Sequence, residues 1–401
     1  MEAAEILTTL LTPAGQADPY PLYAQLHELG AAVRVEGVVI VVGYEAINGV
    51  LRDPAFRVAD AERYDQVMPG WRDQPSLGLN GLLTLNPPQH PRIRRLISRE
   101  FTQRRIAALE PAVAAMTDAL LDEMAARGAG GSPVEFMHDF AFLLPVTVIC
   151  ELIGIPESDR ESFRPLATAV VATLEPAITP AQWAAADAAA VQLNDYFTGL
   201  AAQGRAQPRD DLLSALVSVS DADDGRLSAS ELLDNLQLLL VAGFETTANL
   251  LGNGLRIVLQ DPKIGDGVRS GSVPVPAFVD EVLRFDSPVQ LTSRRRPDRA
   301  EVAGVAAAPE DEILTLLAAG NRDPRRFASP DTFDPSRIDG GPLSFGGGAH
   351  FCIGSALARL EAAVAFPRLL ARFPALAAAG EPTRKDGLVL RGFATLPVTV
   401  A

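Results

Sequence analysis

The chain has 401 residues, 48% of them hydrophobic and 21% charged, with a formal net charge of -15. That balance belongs to a chain able to bury a core, and the acidity argues against a general nucleic-acid binder, whose phosphate contacts need a surplus of Lys and Arg. The two cysteines, Cys150 and Cys352, are too few for a disulfide framework and lack the paired spacing of a zinc site, which points to a reducing compartment.

The first stretch, "MEAAEILTTLLTPAGQADPYPLY", has no basic cluster and no apolar run long enough for a signal peptide or anchor, so a cytoplasmic location is expected. "AAVRVEGVVIVVGYEAI" is rich in Val and Ile and predicts a small sheet near residues 32–43. "NPPQHPRIRRLISREF" puts His90 and Arg94 four apart, on one helix face, and residues 90–105 hold six arginines against one glutamate. Cys150 lies in the apolar helical run "VICELIGIP" and reads as an inert core thiol. Thr179 with Gln182, and Ser228 with Glu231, have the spacing of capping boxes ahead of long helices.

Residues 236–255 are strongly apolar but interrupted by Glu245, two threonines and two asparagines, which predicts a helix buried in protein rather than a membrane span. Its "AGFETT" segment, 242–247, has two readings. Gly243 could leave room for a ligand while Glu245 and Thr246 move protons, or Glu245 could be a buried acid with a remote partner and the threonines bond the preceding turn. "EVLR" sets Glu281 and Arg284 one turn apart. Residues 287–337 look irregular, with short strands such as "EILTLLAAG". Neither a repeat nor a linker divides the chain, so one large, mainly α domain with a small β region, covering 1–401, is expected.

Near the end, "FGGGAHFCIG" sets Cys352 behind three consecutive glycines and ahead of "SALARLEAAVAF", a good helix. The glycines let the main chain approach another group closely. A G-x-G-x-x-G phosphate loop fails here, because Phe351 stands where the third glycine is needed. A helix N-terminus stabilises a thiolate, which can be a nucleophile, with His350 two residues away as its base, or a metal ligand. Haem iron is the metal that accepts a single axial thiolate.

"FGGGAHFCIG" resembles the haem-binding signature of the cytochrome P-450 superfamily at every fixed position, and "AGFETT" resembles that family's oxygen-activating motif. The resemblance implies the cytochrome P-450 fold, with haem b (iron protoporphyrin IX) between the long helix near 231–257 and the Cys352 loop. It implies Cys352 as axial iron ligand and Glu245 and Thr246 as catalytic proton carriers. His90, Arg94, Arg294 and His350 would hold the haem propionates, and Ala242, Gly243, Phe345, Gly346 and Gly354 would line the cofactor. Glu281, Arg284 and Arg337 resemble the family's buried structural network.

The implied reaction is monooxygenation with O2 and NAD(P)H-derived electrons. A ferredoxin or similar donor would dock on Arg92, Arg95, Arg99, Arg104 and Arg105, because complementary charge steers such encounters. The substrate would be a medium or large lipophile, such as a macrolide, other polyketide, terpenoid or steroid-like molecule. Met68, Leu79, Leu239, Val289, Gln290, Leu291 and Phe393 are its expected contacts, Gln290 being the polar one. A monomer acting without nucleic acid or membrane is expected. The alternatives are a haem-thiolate peroxygenase, a non-catalytic haem-based binding protein, and a cysteine hydrolase using Cys352 with His350. His27 and His138 are expected to be structural.

Overall fold

The computed structural model describes residues 1–68, 70–71, 74–78, 80–220 and 227–400. It is mainly helical with small sheets, and its residues group into two compact units. One comprises Met1–Arg57, Glu110–Leu144 and Thr246–Ala401, the other Val58–Leu109 and Pro145–Glu245. Neither unit is continuous in sequence, where one domain covering 1–401 was expected.

The first unit contains the sheet expected near residues 32–43. Ala32–Val35 and Val38–Val41 form an antiparallel hairpin, and distant strands extend it: Glu312–Thr315 runs parallel to the second strand, and Thr292–Arg294 pairs antiparallel beyond that. The run 39–42 is buried on both faces, and alternation decides which core each side chain joins. Ile40 and Val42 face the N-terminal helices through Ile6, Leu10, Leu22 and Leu26. Val39 and Val41 pack with Ile47, Val50 and Leu51 of the helix Tyr44–Arg52, and with Leu343. Leu343 lies two residues before Phe345, so this core sits directly beneath the cysteine segment.

The strand anticipated in "EILTLLAAG" ends at Thr315, and Leu317–Gly320 is helical. Leu, Ala and Gly there lack the branching that favours an extended chain. Ala318 N–H instead turns to the Gln290 carbonyl (3.1 Å).

In the second unit the Thr179 hydroxyl and the Gln182 side chain cap the helix Pro180–Ala206 reciprocally. Ser228 and Glu231 do the same ahead of the helix Ala229–Gln260: Ser228 N–H donates to the glutamate (2.8 Å), and Glu231 N–H to the serine hydroxyl (3.2 Å). Ser76 and Leu82 bond to these two helices. Ser76 Oγ donates to Asp187 at 2.6 Å, and Leu82 N–H donates to Asn235 at 3.1 Å.

Among the described residues no helix is long and apolar enough to cross a membrane.

Candidate active site

The glycines ahead of Cys352 have separate reasons. Gly346 has φ 69° and ψ -150°, which costs a residue with a Cβ heavily. Gly348 has φ +63°, and a Cβ there would stand 2.1 Å from the carbonyl oxygen of Leu51. The loop therefore lies directly against the C-terminal turn of the helix Tyr44–Arg52, and the close approach expected of the glycines is, in part, an approach to protein. Gly347 is extended, and its Cβ would be 3.2 Å from that of Leu51.

Backbone bonds close the loop. Cys352 N–H donates to the Phe345 carbonyl at 2.9 Å, and Gly346 N–H to the Leu343 carbonyl at 2.7 Å. The following helix, Ser355–Arg372, begins three residues after the cysteine. Cys352 is exposed and not in a disulfide, whereas Cys150 is fully buried and its thiol is pushed up to about 12 by that burial. Burial disfavours the thiolate of Cys150, which leaves Cys352 as the accessible thiol.

Glu281, Arg284 and Arg337 come together. Arg284 makes a bidentate pair with Glu281 (2.7 and 2.8 Å), and Arg337 Nε reaches the same carboxylate at 3.2 Å. Arg284 also donates to the Asn321 and Pro330 carbonyls, and Arg337 to those of Ser329 and Thr332. A buried pair is tolerated when its remaining donors are used in this way. Sequence reasoning missed the neutral cluster that fixes the approach to the loop. Asn321 accepts from Leu343 N–H (2.6 Å) and donates to Ser287 and Ser344 hydroxyls (2.8 and 2.9 Å). Nothing in "GNRDP" or "PLSFG" separates such residues from ordinary loop polarity.

Arg294, in the first unit, is 6% exposed. Its guanidinium donates to the Thr292 hydroxyl (3.1 Å) and Ser293 carbonyl (2.6 Å), and among the described residues it forms no ion pair with a carboxylate. Burial lowers its pKa to about 10. A buried guanidinium in this state calls for an external anion. His350 is half-buried. In the second unit, His90 is buried and Arg94 half-buried on the helix Gln89–Ile97.

Along the helix Ala229–Gln260, whose residues divide between the units after Glu245, positions 235–255 are buried except Leu238, Ala242, Gly243 and Thr246. The spacing 238, 242, 246 defines one accessible stripe. Glu245 and Thr247 are buried beside it. Gly243 departs from the expectation that it leaves space for a ligand: a Cβ there would meet Ile149 at 2.8 Å, so the glycine makes room for a neighbouring side chain.

Several expected substrate contacts are used internally. Leu239 is 6% exposed and sits off the stripe. Gln290 is buried with both ends of its amide paired, Oε1 accepting from Tyr23 (3.1 Å) and Nε2 donating to the Ser287 carbonyl (2.7 Å), so it is not the polar contact anticipated. Phe393 is 2% exposed, with the Arg384 guanidinium 3.8 Å from its ring centre. Met68, Val289 and Leu291 remain partly accessible, and Leu79 lies outside the described residues. Of the five arginines assigned to donor docking, Arg92 pairs bidentately with Glu231, and Arg105 reaches Glu100 (2.9 Å) and Asp210 (3.4 Å). Arg95, Arg99 and Arg104 are exposed.

An accessible thiol at a helix start, a glycine-built loop and a buried arginine with no carboxylate partner among the described residues are the features a haem-thiolate protein requires. The family model "Cytochrome P450" matches residues 29–271 and 275–399, and the chain belongs to that family. It is 40% identical to the cytochrome P450 monooxygenase PikC of Streptomyces venezuelae, over 95% of this chain and 91% of that protein. Against 6-deoxyerythronolide B hydroxylase of Saccharopolyspora erythraea it is 36% identical, over 95% and 96%. The ligand-free crystal structure of CYP164A2 from Mycobacterium smegmatis matches with a TM-score of 0.90 and 36% identity, covering 99% of this chain and all of that one. The chain is thus a cytochrome P450 monooxygenase with the P450 fold, and the family uses haem and O2. The hydrolase reading of Cys352 and His350 falls with this. The residues present are compatible with haem: Cys352 would offer the iron a thiolate, and Arg294 would offer a propionate a cation.

Proposed function

We propose that this protein oxidises a C–H bond, or epoxidises a double bond, of a medium-to-large lipophilic secondary metabolite, a macrolide or other polyketide being favoured over terpenoids and steroids. Electrons come from NAD(P)H through a ferredoxin and its reductase. The observation that carries this reading is the stripe Leu238–Ala242–Thr246: two apolar positions followed by a hydroxyl on one accessible face of the mostly buried stretch 235–255. The polyketide preference rests on the likeness to PikC and to 6-deoxyerythronolide B hydroxylase.

Haem b, bound through Cys352, supplies the redox chemistry and the oxygen binding. The chain's own residues do the rest. The Phe345 carbonyl fixes the Cys352 N–H, and Arg294 with His350 neutralises the propionates. The roles of His90 and Arg94 as further propionate partners follow from sequence resemblance. Leu238 and Ala242 present an apolar wall that orients a substrate and excludes water, and held geometry of this kind supplies much of the rate. The Thr246 hydroxyl gives its proton on the accessible face, and Glu245 resupplies it through water. The expected compartment is the cytoplasm.

The test is turnover with NADH, a ferredoxin and its reductase under isotopically labelled dioxygen, across a panel of macrolides, other polyketides, terpenoids and steroids. A product carrying one labelled oxygen atom supports the proposal, and its class assigns the substrate. Substrate binding without any labelled product across the panel would overturn it in favour of a binding protein.

A further inference from the structure

Arg359 lies in the second turn of the helix Ser355–Arg372, on the chain segment that leaves Cys352. Its guanidinium carbon stands 4.5 Å from the centre of the Phe345 ring. Its Nε donates to Asp280 Oδ1 at 2.8 Å. Phe345 is the residue whose carbonyl accepts the Cys352 N–H, and Asp280 precedes Glu281 on the helix Val275–Phe285. An unbroken series of contacts therefore runs from the buried Glu281 helix to the cysteine: Asp280 aims Arg359, Arg359 covers Phe345, and Phe345 holds Cys352.

The ion pair is too exposed, at 37% and 44%, for its Coulomb energy to matter much. Its effect is geometric, since a planar guanidinium held by one carboxylate lies flat on a ring, as an ammonium does not. Arg359 also adds a positive charge behind the residue that anchors the thiolate.

We propose that Arg359 is a positioning residue for the Cys352 thiolate, clamping Phe345 and restraining the sulfur's electron release to the iron. This rests on the haem-thiolate reading of Cys352. The sign of the electrostatic part follows from charge: reduction adds an electron, so a nearby cation favours the ferrous state and raises the reduction potential.

The experiment uses the haem-loaded protein with Arg359→Leu, Arg359→Lys and Asp280→Asn. The reduction potential is read by equilibrium dye titration, which needs no protein donor. The lifetime of the thiolate-type carbon monoxide spectrum is read separately. If the unaltered protein lacks that spectrum, the haem-thiolate reading fails, and this inference with it. With the spectrum present, Arg359→Leu is expected to lower the potential and Asp280→Asn to raise it. Arg359→Lys should keep the potential near that of the unaltered protein, yet lose the spectrum about three-fold faster, as Leu does, the factor corresponding to one exposed cation–π contact. Shifts of the same sign for Arg359→Leu and Asp280→Asn would overturn the proposal, as would unchanged potential and lifetime in all three. If Arg359→Leu fails to load haem, the Lys and Asn variants read the same two quantities.

Discussion

Thr246 and Leu238 share the accessible face of the long helix, while Glu245 and Leu239, one position on from or before each, are buried. The two kinds of position should respond differently to substitution. Thr246→Ala is expected to leave haem binding intact and to divert most NADH-derived electrons to hydrogen peroxide, and the ratio of product to NADH consumed measures this. Tight coupling in that variant would remove Thr246 from the proton path. Leu238→Phe is expected to weaken substrate binding roughly tenfold, read from the spin-state titration, with little change in melting. Leu239→Ala should instead cost about 2–5 kcal/mol of stability. The sequence offered Leu239 as a substrate contact, and the motif itself was legible. The register was not, because the one polar residue in "LQLLLVAGF", Gln237, is itself buried and marks no outward face from which to count. Gln290 misled for a related reason: its partner, Tyr23, lies 267 residues away. His27 gives a pH signature. Burial lowers its pKa against the pull of the Ala319 carbonyl and Asp323, while Arg325 donates to its Nδ1 at 2.7 Å. The unfolded chain, with an ordinary value of about 6.5, binds that proton more readily, so stability is lost as pH falls through and below about 6.5. His27→Gln should melt with a smaller drop between about pH 8 and about pH 5 than the unaltered protein.

At the scale of elements, the Cys352 loop is set by a helix far away in sequence. Gly348 at φ +63° rests on the Leu51 carbonyl, so Gly348→Ala should both strain the backbone, by about 1–3 kcal/mol, and push the loop off Tyr44–Arg52. The expected result is a lower melting temperature with incomplete haem loading, checked by the ratio of haem to protein absorbance. The same substitution at Gly271, whose φ of +76° lies at the end of the helix Pro262–Ser270 with nothing close to its Cβ, should cost stability alone. Capping boxes at Thr179 and Ser228 and the hairpin at 32–41 were legible because their signals are local. The contact of Gly348 with Leu51, the Asn321–Ser287–Ser344 cluster and the Asp280–Arg359–Phe345 series were not, since each joins segments whose approach only the tertiary fold determines.

For the whole molecule, a net charge of -15 coexists with an arginine-rich segment in which Arg95, Arg99 and Arg104 are exposed and Arg92 and Arg105 engaged in ion pairs. If the exposed three steer an acidic donor, replacing Arg95 and Arg99 with Glu should raise the KM for ferredoxin about tenfold and flatten its salt dependence, with peroxide-supported turnover unchanged. Stopped-flow reduction over a range of ionic strength reads the effect. Every functional role above depends on the thiolate of Cys352 reaching haem iron, and the most direct measurement is the carbon monoxide difference spectrum of the reduced protein beside Cys352→His. A strongly red-shifted Soret band in the unaltered protein, replaced in the variant by the band of an imidazole-ligated haem, is the expected result. A band of the imidazole type in both proteins would contradict Cys352 as the ligand.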